Sequence, residues 1–147
     1  MAVLGKQVAV TWYTGADNKS RLFVAFSQDS GSTFAAPVQV DEGSPLGRVA
    51  VVALPDGSAA VSWIEKKSAG SAEIRMRRVA ADSRRTDSLL VSAVESGRKA
   101  GFPKMVLHGD RLMVTWTADT IRTVELVPPA FGANRQSDRP NHAQDPF

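Results

Sequence analysis

Ala59-Ala60-Val61-Ser62-Trp63-Ile64-Glu65 decides the fold, because its centre recurs. The form V-[ST]-W stands in Val8-Ala9-Val10-Thr11-Trp12 and again in Leu112-Met113-Val114-Thr115-Trp116, so the three tryptophans lie 51 and 53 residues apart. A second element precedes the later two copies: Gly47-Arg48-Val49-Ala50-Val51-Val52-Ala53-Leu54 and Gly101-Phe102-Pro103-Lys104-Met105-Val106-Leu107, whose glycines are 54 residues apart. A fixed period near 50 residues is the mark of a stacked repeat, in which each unit buries its apolar face on its neighbours.

Working outward, each repeat consists of short runs rich in β-branched and aromatic residues, separated by Gly, Asp, Ser or Pro. That pattern predicts strands and tight turns, and no segment sustains the 3.6-residue apolar period of a helix. Strands are expected near 6–14, 21–27, 37–41, 47–54, 58–65, 72–79, 88–94, 101–107, 111–117 and 121–127. Pro55-Asp56-Gly57 and His108-Gly109-Asp110 are short enough to be hairpin links. Four antiparallel strands about every 50 residues make a propeller blade. The expected fold is therefore all-β, a partial β-propeller of about three four-stranded antiparallel blades at 3–46, 47–100 and 101–127. In this reading the first blade lacks its opening strand and the last its closing strand. The stretch 128–147 holds four of the eight prolines and no strand pattern, which predicts a flexible polar tail. Blades that begin and end in mid-repeat do not close a ring, so self-association, or completion by the rest of a longer propeller, is expected.

Composition narrows the chemistry. The chain has 147 residues and no cysteine, and its two histidines, His108 and His142, lie far apart, so neither disulfides nor a metal site is expected. No cofactor is expected either. The net charge of +3 comes from 18 basic and 15 acidic residues interspersed along the chain, a mixed surface rather than a nucleic-acid footprint. No apolar run is long enough to span a bilayer, and the start at Met1 lacks the basic and apolar regions of a signal peptide.

Between the expected strands at 21–27 and 37–41 lies Ser27-Gln28-Asp29-Ser30-Gly31-Ser32-Thr33-Phe34. Its chemistry suits a turn. Asp29 can accept backbone N–H bonds, Gly31 can take positive φ, and Phe34 is expected to fold back onto the blade's apolar side. The octapeptide resembles S-x-D-x-G-x-T-[FW], the Asp box (BNR repeat) of bacterial sialidase-like propellers, and the resemblance extends over roughly residues 5–127 as their C-terminal portion. It implies a structural role for Ser27, Asp29, Gly31, Thr33 and Phe34, a carbohydrate-related function, and export to the periplasm or medium. The family's active members grip a sugar carboxylate with three arginines and use a Tyr/Glu pair and an Asp for catalysis, with an F/Y-R-I-P motif. Here Gly101-Phe102-Pro103-Lys104 and Gly47-Arg48-Val49 only approach that motif, and Tyr13 is the one tyrosine. The resemblance thus implies a glycan-binding segment that is not catalytic by itself. The alternatives are the C-terminal part of an exo-α-sialidase completed by upstream residues, and a protein-interaction scaffold.

Strand direction places Tyr13, Arg48, Glu65, Lys66, Lys104, Asp119 and Arg122 at one end of the blades, with Arg98 on an incoming loop, and the Asp box at the other end. Arg48, Arg98 and Arg122 are the candidate ligand-binding residues, since a guanidinium fork pairs with a carboxylate. Glu65 and Tyr13 are weak catalytic candidates, and Glu65 reads more readily as a polar residue that ends a strand. Trp12, Trp63 and Trp116 could stack on sugars, but their common repeat position favours packing between blades. The alternation of Ile74 and Met76 with Glu73, Arg75 and Arg77 predicts a strand with one wet face.

Overall fold

A computed structural model describes residues 1–97 and 101–131. Among the described residues, eleven strands form three separate antiparallel sheets. Sheet A holds β1 (Ala2–Leu4), β2 (Gln7–Thr14), β3 (Arg21–Ser27) and β4 (Val38–Gln39). Sheet B holds β5 (Ala50–Ala53), β6 (Ala59–Ser68), β7 (Ser71–Val79) and β8 (Leu89–Glu95). Sheet C holds β9 (Lys104–His108), β10 (Arg111–Thr117) and β11 (Ile121–Leu126). Each sheet is a meander in sequence order, and the described residues contain no α-helix.

One expectation is corrected at once. The first repeat does have an opening strand, because Ala2, Val3 and Leu4 pair with Ala9, Val8 and Gln7. At three residues that strand is too short to show an alternating period. Its turn at Gly5 takes φ +59 and returns the chain directly into β2. The third sheet has three strands among the described residues. The fourth strand of sheet A is shorter than expected, because the side chain of Asp41 replaces backbone pairing there: its Oδ1 accepts from Leu22 N at 2.7 Å.

The sheets stack face to face. Alternate residues of β2 and β3 (Ala9, Leu22, Val24 and Phe26) meet Ala59, Val61, Trp63 and Val79 of sheet B in one buried cluster. The opposite face of sheet B, through Ala60, Met76 and Leu54, packs on Leu112 and the partly buried Met105, Leu107 and Leu126 of sheet C. Strand β5 neighbours β1 and β2 on one side and β9 on the other, so the first strands of successive sheets lie side by side. The expected wet face of β7 holds only in part: Glu73 and Arg75 are half-buried, whereas Arg77, where sheet A covers sheet B, is buried with its guanidinium 5.5 Å from the Trp63 ring centroid. Burial pushes this guanidinium below its ordinary pKa, and the Glu42 carboxylate paired with it opposes that shift.

At the lower end the sheets are pinned by polar turns. The Gln7 amide donates to the carbonyls of Gly57 and Ser58 at 2.7 and 3.2 Å, joining the first turn of sheet A to that of sheet B. Arg78 pairs with Asp56, donates to Ser58 Oγ at 2.8 Å, and lies 4.7 Å from the ring of Phe131.

Candidate functional site

The octapeptide Ser27-Gln28-Asp29-Ser30-Gly31-Ser32-Thr33-Phe34 is a hydrogen-bonded knot at the end of the sheets that carries the turns after β1 and β5. Asp29 Oδ1 accepts from Thr33 N at 2.8 Å and from Ser27 Oγ at 2.7 Å, while Oδ2 accepts from Thr33 Oγ1 at 2.6 Å. Ser27 Oγ in turn accepts from Gly31 N at 2.8 Å, and Ser30 N donates to Lys6 O, which fastens the knot to the first turn of sheet A. Gly31 takes φ +90, a conformation that costs a side-chain-bearing residue free energy. The bonds from Thr33, then Ser27, hold the Asp29 carboxyl down at about 2. Phe34, expected on the apolar side, stays 46 % exposed.

At the other end, the sequence candidates separate into two groups. Glu65 is buried and bound to structure. Its carboxylate accepts from Ser44 N at 2.5 Å, Glu42 N at 3.3 Å and Trp63 Nε1 at 2.6 Å, so the loop after β4 is drawn over the fully buried indole. A carboxylate with three donors and no solvent access is placed to hold a loop, not to transfer a proton to a ligand. Tyr13 has its hydroxyl 2.9 Å from Ser20 Oγ and its ring against Gly47, where a Cβ would lie 3.5 Å from Tyr13 Cγ. The two weak catalytic candidates therefore have different partners and are not assembled into a pair.

Arg48, Lys66, Asp119 and Arg122 are instead gathered at the rim between sheets B and C, where two depressions of about 580 and 430 Å³ share Glu95. The larger is lined by Ser92 to Glu95 of β8, by Trp116 to Asp119, and by Arg122 and Thr123 of β11. The smaller is lined by Arg48, Lys66 and Gly97 among others. Trp116 and Arg122 are cross-strand partners, which puts an indole face and a guanidinium on one side of sheet C. Among the described residues, Glu95, Lys66, Asp119 and Arg122 form no ion pair. Arg48 is different. It sits at φ +54, donates to Gly97 O at 2.9 Å, and lies 5.2 Å from the Phe102 ring centroid, so it braces the two sheets at their inner strands. Lys104 does not line the groove. Arg98 lies outside the described residues.

Sequence reasoning missed two lining residues. Glu95 lies just past the expected strand at 88–94 and carries no sequence signal of its own. Trp116 does pack between the sheets as expected, against Ile64, Ala72 and Ile74 of sheet B, but it is only partly buried and also lines the larger depression, and Trp12 is 36 % exposed where Trp63 is fully buried. The signal was present two residues downstream: Glu65 follows Trp63, whereas Thr14 and Ala118 follow Trp12 and Trp116. Among the described residues no group of three or more His, Cys, Asp or Glu is placed to hold a metal, and no helix is long and apolar enough to cross a membrane. No protein-family model matches the chain, and no curated protein matches it.

Proposed function

We propose that the chain is a segment of a sialidase-like Asp-box propeller that binds a glycan in the groove between sheets B and C and has no catalysis of its own. The observation that carries this reading is the lining of the groove: the partly buried indole of Trp116 beside the guanidinium of Arg122 and the carboxylates of Asp119 and Glu95. An aromatic face offers a sugar ring an apolar platform, while charged groups at its margin take up hydroxyls or a sugar carboxylate. The Asp-box knot and the stacked four-stranded sheets support the propeller part of the reading. Commitment of Glu65 to three internal donors supports the absence of hydrolysis.

Titration of the purified chain with sialyllactose and with neutral lactose, followed calorimetrically and by Trp fluorescence, tests the binding. Saturable binding that is lost in Trp116→Ala and weakened in Arg122→Ala is expected. Binding of neither sugar, or binding indifferent to both substitutions, removes the proposal. The same chain is expected to leave 4-methylumbelliferyl sialic acid uncleaved, and turnover abolished by Glu65→Gln would assign Glu65 the catalytic role denied to it here.

A further inference from the structure

The chain leaves sheet C at Leu126 and continues onto sheet B. Pro128, Pro129 and Phe131 are half-buried, while Val127 and Ala130 are exposed, so the stretch after β11 lies against the protein. The Pro129 carbonyl accepts from Arg78 Nη1 at 3.3 Å, and the Phe131 ring lies 4.7 Å from the Arg78 guanidinium and 5.0 Å from that of Arg84. Arg78 belongs to β7, and Arg84 to the loop between β7 and β8. Phe131 lines a depression of about 370 Å³ with Asp56, Ser58 and Ala81 from the turns of sheet B and with Gln28 from the turn after β3. A segment that follows sheet C thus reaches the place where the turns of sheets A and B meet.

Three features suit this segment to hold sheet C in place. Pro128 and Pro129 have fixed φ, so docking orders little backbone that was free, and they bring no N–H that would need a partner. The ring faces two cations, and each cation keeps an acid of its own, Arg78 with Asp56 and Arg84 with Asp82. Their charges are thereby balanced, and both guanidiniums can lie near one ring. Strand β11, in turn, is weakly held. Among the described residues β10 is its one strand partner, and Ile121, Arg122, Thr123 and Glu125 are exposed. A strand with few buried side chains, paired on one side, is the kind that opens first.

We propose that residues 128–131 are a latch: Phe131, held by the guanidiniums of Arg78 and Arg84, ties sheet C to the turns of sheet B and keeps β11 on its sheet. The latch stands at the other end of the sheets from the groove of Trp116 and Arg122, and it does not depend on the glycan reading. Amide hydrogen exchange on the full chain, read strand by strand, tests it, and the arginine side-chain resonances report the ring directly. The δ-methylene protons of Arg78 and Arg84 are expected to be shifted upfield in the parent, and the shift is expected to vanish in Phe131→Leu. Phe131→Ala should speed exchange of the β11 amides roughly tenfold and leave those of β2 and β3 unchanged. Arg84→Gln, at a mostly exposed side chain outside the core, should speed it about threefold. Phe131→Trp should protect β11 at least as well as the parent, because indole binds cations best. Val127→Ala, exposed and next to the latch, should change nothing. Unshifted arginine resonances, β11 exchange unaffected by Phe131→Ala, an equal rise in β2 and β3, or protection by leucine equal to that by phenylalanine would overturn the proposal.

Discussion

The rim between sheets A and B and the rim between sheets B and C are built from the same repeat, yet one is sealed and the other is open. At the first, Trp63 donates to Glu65, Glu65 gathers the amides of Glu42 and Ser44, and Glu42 pairs with Arg77 lying over the same indole. At the second, the residue two places after the tryptophan is Ala118, which has no acceptor side chain, and Trp116 lines a groove of about 580 Å³. One acid thus converts an interface rim from a place where a ligand could lodge into a place where the chain lodges its own loop. The repeat supplies the scaffold, and the departures from the repeat supply the open rim.

The comparison breaks most readily at Trp63. Trp63→Ala removes a fully buried ring and leaves Glu65 without its indole donor, and it should cost about 4 kcal/mol in a urea melt. Trp116→Ala, at the open rim, should cost about 1–2 kcal/mol because part of the ring is already in water. If the two substitutions proved equally costly, the rims would not differ as described.

Glu65→Ala comes next. It leaves the amides of Glu42 and Ser44 and the Trp63 N–H without their acceptor, and it should cost about 3 kcal/mol, with Glu65→Gln retaining part of the stability through its remaining oxygen. Neither change should alter glycan affinity at the other rim. The reciprocal substitution sharpens the contrast: Ala118→Glu places an acid where Glu65 stands relative to its tryptophan. It should weaken glycan binding roughly tenfold by competing for the Trp116 rim. Titration calorimetry on Ala118→Glu and on Glu65→Gln reads both expectations.

How far these features were legible follows from what each depends on. The strands could be read because β-branched runs and turn residues are local signals, and the period fixed which runs correspond. The strand Ala2–Leu4 was not readable, since three residues carry no period and its existence depends on pairing with β2. Arg48 and Arg122 were placed at the correct end by counting strand directions. Their roles were not readable: Arg48 braces Phe102 and Gly97, while Arg122 lines the groove, and nothing local distinguishes them. Treating the three tryptophans as equivalent hid their different surroundings, because equivalence erases the difference between Glu65 and Ala118. The buried Arg77 was misread because alternation shows which residues share a face and not whether a second sheet covers it.

The smallest expected effect lies at the turn of Ser27 to Phe34, which separates a structural acid at the surface from the buried one at the rim. Asp29 is held at about 2, against an ordinary 3.8, by bonds from Thr33 and Ser27. The depressed value means that the folded state favours the carboxylate more than the unfolded chain does. Its contribution is therefore complete above pH 3.8 and is lost as the pH falls from there toward about 2. Asp29→Asn keeps one acceptor oxygen for Thr33 N and Ser27 Oγ, removes the charge, and puts a donor where Oδ2 accepts from Thr33 Oγ1, much as protonation of the acid does. The gap in melting midpoint between parent and Asp29→Asn should be constant above pH 4, narrow through the window below it, and vanish near the bottom. Being exposed to solvent, Asp29 should give a smaller gap than any change at Trp63 or Glu65. A gap that stays constant across the window would show that the carboxylate's charge is not what closes the turn, and the knot would then depend on the shape of its backbone, with Gly31 at φ +90 as its determinant.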